Sequence, residues 1–406
     1  LLDIGFENRY NQRVMIFDGG MCMIIGEFTE TYPPMLDGVG RVGMAYCQSL
    51  KKLGHTAWYI APDDRAHTRI DALDTILYGG FNIPGQNYRL GTPDLSFEFK
   101  KRIFDIPFDI LHIHSPFLSA RIAKMITGKR PEVPVVATFH SKYYDDFYKA
   151  THSRLISGEV VNRIVRVYDR CDAVWTVNEG TAEVLRGYGY KGYIHVAPNG
   201  TDLHPVSMEK AAEKRKALGL LDDVPVLLFV GQIDRKKNIH STLQACALLK
   251  KEGQKFELLL VGRGPDQSNL EKLRDELGLS ENVHFLGFVD NGEELRSIYA
   301  LADLFVFPSV YDNAPMVVRE AAANGTPSLL VRGSCSAGGI TDGVNGFLCE
   351  DSPEDIARGI REALPSCGEV GWKARETIPQ PWDKIVGEAL TRYQELIDIK
   401  KTKAGG

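Results

Sequence analysis

The sequence predicts an α/β chain of two consecutive doubly wound domains, each a parallel sheet with helices on both faces. Short apolar runs alternate with helix-period segments through both halves of the 406 residues, as βα units feeding a parallel sheet require. Several runs, among them Ile110–Ile113, Val226–Val230 and Leu304–Phe307, are almost continuously apolar, as strands buried on both faces must be. The pattern halts after Ile194–Ala197 at Pro198-Asn199-Gly200, and restarts at Val226.

In the first half, strands are expected at Met23–Phe28, Ala57–Ala61, Ile110–Ile113, Val133–Phe139 and Ala173–Val177. Apolar spacing predicts a helix over Val39–Lys52, stopped by Gly54-His55. A charged helix, Met208–Leu218, follows the boundary. In the second half, strands fall at Val226–Val230, Phe256–Val261, Val283–Leu286, Leu304–Phe307, Ser328–Val331 and Gly346–Leu348. Helices fall at Ile239–Glu252, Asn269–Leu277, Leu295–Ala302, Met316–Asn324 and Pro353–Leu364. The last helix, from Trp382 to about Lys400, carries its apolar residues on one side, so it must pack against something. Residues 1–20 show neither period. They are expected to be a non-native or disordered extension, with the true start at Met21 or Met23, although a short ordered arm is the plainer reading. They lack the apolar run of a signal peptide. The expected domains are 21–204, joined by helix 382–400, and 205–381.

Composition excludes some functions. A formal net charge of −5 argues against a general nucleic-acid binder. The seven cysteines show no C-x-x-C pair or metal-ligand spacing, so reduced thiols of a cytoplasmic protein are expected. No apolar run is long enough to span a bilayer.

The most informative segment runs from Pro308 to Pro327. An apolar strand leads into a loop bearing Asp312, and a helix then carries Glu320. A helix N-terminus between two acids offers backbone N–H groups to an anion and carboxylates to hydroxyls, which suits a sugar nucleotide. The bland reading is a solvated amphipathic unit whose acids serve the helix dipole. Gly38, Gly40 and Gly43 match G-x-G-x-x-G, and Asp63 follows on a strand end. A nicotinamide or flavin site is nevertheless disfavoured. That fingerprint needs a tight turn directly after the strand, and here a long loop with Pro33-Pro34 follows Phe28. Glycines delivered to a helix N-terminus still suit a phosphate.

Several segments, in order, give the chain a more specific likeness. They are Pro33-Pro34 with Asp37-Gly38-Val39, Gly54-His55, His112-Ile113-His114-Ser115-Pro116, Ala137-Thr138-Phe139-His140-Ser141, and Pro198-Asn199-Gly200-Thr201-Asp202. In the second half they are Val230 to Asn238, Val261-Gly262-Arg263-Gly264 and Gly325-Thr326-Pro327. From Met23 to Ile397 the chain resembles the family 4 retaining glycosyltransferases of the GT-B fold, and within them the diacylglycerol-glucosyltransferase-like subset. The resemblance implies two Rossmann-like domains facing a central cleft, with no cofactor or catalytic metal beyond the donor substrate. It implies that Gly38 contacts the donor phosphate through its N–H, that Lys237 neutralises the diphosphate, with Lys236 as a substitute, and that Glu320 binds the ribose. It assigns Asp312 to sugar hydroxyls, the N–H groups of Met316 and Val317 to phosphate or sugar, and His140 to the reacting centre. Transfer by front-side attack, with the leaving phosphate taking the acceptor proton, is the implied chemistry.

This chain departs from the family pattern in three places. Asp312 replaces the usual Glu. Asn313-Ala314-Pro315 replaces Gly-x-Gly, removing one backbone donor. Gln232 replaces the phosphate-binding Arg, for which Arg235 or Arg263 is the expected compensation. These put the donor sugar in doubt. Among the other candidates, His112 reads as structural, while His114 and Arg263 stay open between structural and functional roles.

The expected activity is transfer of a hexose, from a UDP-hexose by preference, to a lipid or glycan acceptor. Asn87-Tyr88-Arg89-Leu90 through Phe97, and Tyr143-Tyr144-Asp145-Asp146, resemble family members that glycosylate diacylglycerol or related lipids. With Lys100, Lys101, Arg102, Lys124, Lys129 and Arg130 they allow a peripheral contact at the inner membrane face, although Lys100-Lys101-Arg102 by itself reads first as a solvated helix face. The alternatives are a transferase extending a polysaccharide, a sugar-nucleotide epimerase or hydrolase, and a non-catalytic nucleotide-sugar-binding homologue.

Overall fold

The computed structural model describes residues 22–33, 37–63, 73–82, 89–204 and 206–405. The extension expected at 1–20 lies outside these residues, as do Met21, Pro34, Asn87 and Tyr88. The chain divides into two compact units. One takes the chain through Val177, Thr181–Pro198 and everything from Trp382; the other takes Asn178–Gly180 and Asn199–Pro381. The chain thus passes to the second unit at Asn199, earlier than the expected 205. The Asn199 side chain donates to the Ala314 carbonyl, and Thr201 N to that of Gln380, which ties this stretch to the second unit.

In the first unit the strands are β1 (Ile24–Phe28), β2 (Thr56–Pro62), β3 (Asp74–Tyr78), β4 (Gly80–Asn82), β5 (Arg89–Gly91), β6 (Ile110–Ile113), β7 (Val135–Phe139), β8 (Ala173–Thr176) and β9 (Ile194–Val196). Seven form a parallel sheet in the order β3-β2-β1-β6-β7-β8-β9, and β4 and β5 make a separate antiparallel hairpin. Strand order reverses direction between β1 and β6, the place where doubly wound sheets open a crevice at their carboxyl ends. The second unit holds β10 (Val226–Val230), β11 (Glu257–Val261), β12 (Val283–Gly287), β13 (Leu304–Phe307), β14 (Ser328–Val331) and β15 (Phe347–Cys349), in the order β12-β11-β10-β13-β14-β15. All these pairs are parallel, and the reversal falls between β10 and β13.

Both central strands, β1 and β10, are buried along their whole length, which explains the unbroken apolar reading of β10, while β1 buries the acid Glu27 among its apolar residues. The helix Gly38–Lys52 packs on the first sheet through Gly43, where a Cβ would stand 2.5 Å from Thr29 Cγ2. The third glycine of the literal fingerprint therefore serves close helix–strand packing. The last helix, Trp382–Gly405, belongs to the first unit and extends beyond the expected Lys400. Its Ile385, Val386, Ala389, Tyr393 and Ile397 are buried, and Trp382 meets the Tyr46 ring edge-on at 6.0 Å. All seven cysteines are free thiols. No described helix is long and apolar enough to cross a membrane.

Candidate functional site

The second unit gathers its candidate residues at the carboxyl ends of β10, β11 and β13. After β10, the loop 231–234 enters a single 3-10 turn, Arg235–Lys237. Asp234 caps this turn by accepting from Lys236 N at 2.8 Å. Asn238 closes it with a left-handed φ of 59°, a conformation that Asn tolerates well. The Gly262-Arg263-Gly264 turn after β11 lies directly against this loop. A Cβ on Gly262 would fall 1.8 Å from the Gly231 carbonyl oxygen, and one on Gly264 2.1 Å from that of Ile233. These glycines are needed because two backbones touch, and the contact fixes both loops.

That scaffold separates the two lysines. Lys237 Nζ reaches Asp312 Oδ1 at 2.5 Å, whereas Lys236 Nζ points to Tyr311, 3.4 Å from its hydroxyl and 4.4 Å from its ring centre. The other Asp312 oxygen accepts from the buried Ser309 hydroxyl at 2.5 Å, and Ser336 donates to the Asp312 carbonyl at 2.9 Å. Asn178 donates to the carbonyls of Asn313 and Cys335, pinning the rest of the loop. Both Asp312 oxygens are therefore engaged within the unit, so a sugar hydroxyl would have to join or displace these partners.

Helix Met316–Ala323 starts at the end of this loop with Pro315 as its N-cap, and no side chain caps it. Val318 N donates to the Pro315 carbonyl at 3.3 Å. The N–H that Pro315 lacks precedes the first turn, so the donors of Met316 and Val317 are retained and the feared loss does not touch them. Glu320 follows on the same helix and accepts from the Tyr299 hydroxyl at 3.0 Å. Gln232, Arg235 and Arg263 are exposed. Sequence reasoning missed Arg319. Its Nε is buried without a hydrogen-bond partner, and burial draws its pKa down. A charged residue on a short Ala-rich helix was the available signal.

In the first unit, Gly38 opens helix Gly38–Lys52, and Asp37 is its N-cap. Asp37 Oδ1 accepts from Gly40 N at 2.7 Å and from the Thr31 hydroxyl at 2.9 Å. A phosphate at Gly38 would thus share this terminus with a carboxylate. Glu30, which the sequence did not single out, accepts from Ser119 N and Oγ at the start of helix Leu118–Thr127. Burial pushes its pKa up, against the hydrogen bonds that lower it.

Candidate His140 sits just past β7 in a buried polar chain. Its Nε2 lies 3.0 Å from His114 Nδ1, and His114 Nε2 lies 2.8 Å from Glu27 Oε2. His112, the register partner of Glu27, contacts Thr138 Oγ1 at 2.7 Å and the Tyr393 hydroxyl at 2.6 Å. Burial holds all three imidazoles down near pKa 3 and raises that of Glu27. The histidines are therefore neutral at pH 7. Glu27, His112 and His114 also bring one potential ligand atom each within 4.8 Å, a cluster invisible in sequence spacing. Hydrogen bonds already pair these atoms with one another and with Thr138, Tyr393 and His140.

Two family models match the chain: "Glycosyltransferase Family 4" over residues 36–204 and "Glycosyl transferases group 1" over 210–369. An alpha-monoglucosyldiacylglycerol synthase of Acholeplasma laidlawii is 24% identical over 400 residues, covering 94% of this chain and 99% of its own. One of Streptococcus pneumoniae is 27% identical, covering 84% of this chain and 78% of its own. Among solved structures, a sucrose-phosphate synthase from Thermosynechococcus elongatus superposes with TM-score 0.76 at 21% identity, covering 93% of this chain and 100% of its own. Anabaena HepE, in complex with UDP and glucose, does so with TM-score 0.74 at 16% identity, covering 92% of this chain and 99% of its own. With both units matched in order and the same two-domain Rossmann-like architecture, the chain belongs to the family 4 glycosyltransferases of GT-B fold.

Proposed function

We propose that the chain is a retaining hexosyltransferase that moves a hexose from a nucleotide-diphosphate sugar, a UDP-hexose first, to a lipid acceptor. The observation that carries this is Lys237 held 2.5 Å from Asp312, on a loop that runs into the uncapped start of helix Met316–Ala323. A carboxylate and first-turn N–H groups on this loop, met by the Lys237 cation from the turn after β10, suit a diphosphate bonded to a sugar. In this reading the N–H groups of Met316 and Val317 and the Lys237 ammonium take the charge that develops on the leaving diphosphate. Asp312 orients sugar hydroxyls, and Glu320 takes the ribose. Gly38 adds a phosphate contact, His140 serves the reacting centre, and exposed Gln232 and Arg263 border the nucleotide. Lys237 and the helix terminus supply the positive potential that a metal would otherwise bring, so we assign no cofactor and no catalytic metal.

Two observations favour a lipid over a soluble glycan as acceptor. The relatives named alpha-monoglucosyldiacylglycerol synthase match almost the whole chain. The first unit also exposes large apolar side chains, Phe81 and Leu90 across the β4–β5 hairpin and Leu95 and Phe97 beyond it, ahead of Lys101 and Arg102. Apolar residues next to basic ones suit an anionic lipid surface, and a peripheral contact follows.

The test is incubation with UDP-, GDP- and ADP-hexoses, with and without diacylglycerol in anionic micelles, and with and without chelator. Acceptor-dependent formation of an α-linked glycolipid, unaffected by chelator, is expected from an α-linked donor. Sugar or nucleotide released without acceptor would instead identify a hydrolase or epimerase, and binding without turnover a non-catalytic homologue.

A further inference from the structure

Glu27, His114 and His140 are three buried ionisable side chains, exposed by only 0%, 1% and 9%. They are linked end to end, Glu27 Oε2 to His114 Nε2 at 2.8 Å and His114 Nδ1 to His140 Nε2 at 3.0 Å. The sheet produces this arrangement directly. Glu27 on β1 is the register partner of His112 on β6, and His112 that of Val136 on β7. Residues two apart on a strand share a face. Hence His112 and His114 lie side by side with ring centres 4.2 Å apart, Thr138 meets His112, and His140, two beyond Thr138, meets His114.

A neutral imidazole has one N–H and one lone pair. Each link in the chain therefore holds a single hydrogen, and choosing the donor at one end determines every other link. Several groups can donate to the Glu27 carboxyl. His114 Nε2 is nearest, with His112 Nδ1 at 3.2 Å and the Tyr393 hydroxyl at 3.4 Å. Burial raises the Glu27 pKa, but hydrogen bonds from His114 and Tyr393 stabilise its carboxylate against that burial, and we take it as the ionised acceptor. His114 then donates from Nε2, so its Nδ1 accepts, and His140 must donate from Nε2. We propose that Glu27 and His114 are positioning residues that lock His140 as the Nε2–H tautomer, with its Nδ1 as a hydrogen-bond acceptor.

The consequence for transfer rests on the function proposed above. An accepting Nδ1 orients a substrate hydroxyl by its hydrogen, whereas the opposite tautomer would donate to the hydroxyl oxygen. Burial holds the His140 pKa down near 3, so the ring acts as an oriented neutral acceptor rather than as a proton reservoir. A proton placed on Glu27 would reverse every link and present N–H at His140 Nδ1 instead. Glu27 thus controls a hydrogen-bonding property that is expressed two side chains away.

The experiment is long-range proton–nitrogen correlation NMR on the full chain labelled with nitrogen-15 histidine, assigned through single His→Gln variants. Near pH 7, His114 and His140 are expected to be neutral, both carrying hydrogen on Nε2. In His114→Phe, which keeps an aromatic ring but removes both nitrogens, the His140 nitrogens should move to averaged or reversed tautomer shifts. The same variant should lower kcat by about 10- to 100-fold, the usual effect of losing an orienting partner, with the donor KM little changed. Hydrogen on His140 Nδ1 in the unsubstituted protein would overturn the proposal. So would an unchanged His140 tautomer in His114→Phe, or a stoichiometric metal in the purified protein, since ligation would consume the same lone pairs. The tautomer is read without substrate, so its outcome is independent of whether the chain proves to be a transferase.

Discussion

Lys237 Nζ and Asp312 Oδ1 stand 2.5 Å apart with only 17% and 19% of their side chains exposed, although 75 positions separate them. A pair so little hydrated retains electrostatic strength that a surface pair loses to solvent. Before a donor binds, each residue is the other's counter-ion. A diphosphate arriving at Lys237 would compete with Asp312 for the ammonium and free an Asp312 oxygen for a sugar hydroxyl. In the proposed reading, donor binding and sugar recognition would be coupled through this one contact.

Lys237→Ala should cut kcat by about 10²- to 10³-fold, the usual effect of losing one group that stabilises transition-state charge. Lys236→Ala should cost far less, because its ammonium rests on Tyr311. Steady-state kinetics with the preferred donor checks both. Equal losses would remove the distinction drawn from the geometry.

Asp312→Glu adds a methylene to a carboxylate held from both sides by Lys237 and Ser309. It should change the ratio of kcat/KM between two hexose donors with the same nucleotide. Glu320→Ala should instead raise KM for every donor with that nucleotide, and Tyr299→Phe should do so mildly by loosening the carboxylate. Unchanged sugar selectivity in Asp312→Glu would count against the assignment of that residue to the sugar.

The sheets were legible because fully buried parallel strands carry unbroken apolar runs, as Val226–Val230 and Leu304–Phe307 do. The edge strand β3 was not, since Asp-Thr-Ile-Leu-Tyr is only half-buried and has polar ends. The helices Tyr143–Thr151 and Arg154–Tyr168 escaped because they follow one another with no strand between. At the site, Asp312 and Glu320 were marked by the strand–loop–helix segment that carries them, whereas Lys237 came only through likeness to a family; no local spacing could pair it with Asp312, 75 positions away. Glu27 was hidden differently. A single acid in Ile-Ile-Gly-Glu-Phe gives no sign of function until strand register sets it beside His112. The His-x-His that runs out of β6, His112 and His114, was the visible clue, and reading His112 alone as structural left that cluster unrecognised.

Gly262→Ala should disrupt donor binding without touching any charged residue. Its φ of 139° and a Cβ 1.8 Å from the Gly231 oxygen force the two loops apart. Gly253→Ala is the control, with a positive φ but open space around it, and should cost only about 1 kcal/mol from backbone strain. Thermal melting and nucleotide binding distinguish them. If both variants bind nucleotide equally well, loop contact does not organise the site.

Leu95→Ser with Phe97→Ser should weaken sedimentation with anionic vesicles and lower activity on vesicle-borne acceptor. Lys101→Glu with Arg102→Glu should do the same and remove the dependence on salt. Donor binding measured without lipid should stay unchanged in both. Full vesicle binding by both variants would sink the proposed membrane face.

Acidification should destabilise the fold well before ordinary carboxylates titrate. His112, His114 and His140 are held down near pKa 3 in the folded chain by burial, against about 6.5 when unfolded. Between those values the unfolded chain binds more protons, so unfolding free energy falls as pH falls, by up to about 1.4 kcal/mol per pH unit for each group. Burial lowers His55 and His195 as well, which adds in the same direction. Glu27 acts with the opposite sign. Its raised pKa makes the folded chain bind a proton more readily above 4.5, so its contribution is present in acid and lost as pH rises through the folded value. Glu30, whose pKa burial also raises, acts in the same sense as Glu27, so up to two protons offset the several taken up by histidines. Urea midpoints measured from about pH 7.5 down to about pH 5, above the usual carboxylate range, should therefore fall steadily below about pH 6.5. His140→Gln should make the dependence shallower by up to one proton, because one buried neutral imidazole is gone. A midpoint that stays level or rises on acidification would mean that these imidazoles are not buried and neutral in the folded chain.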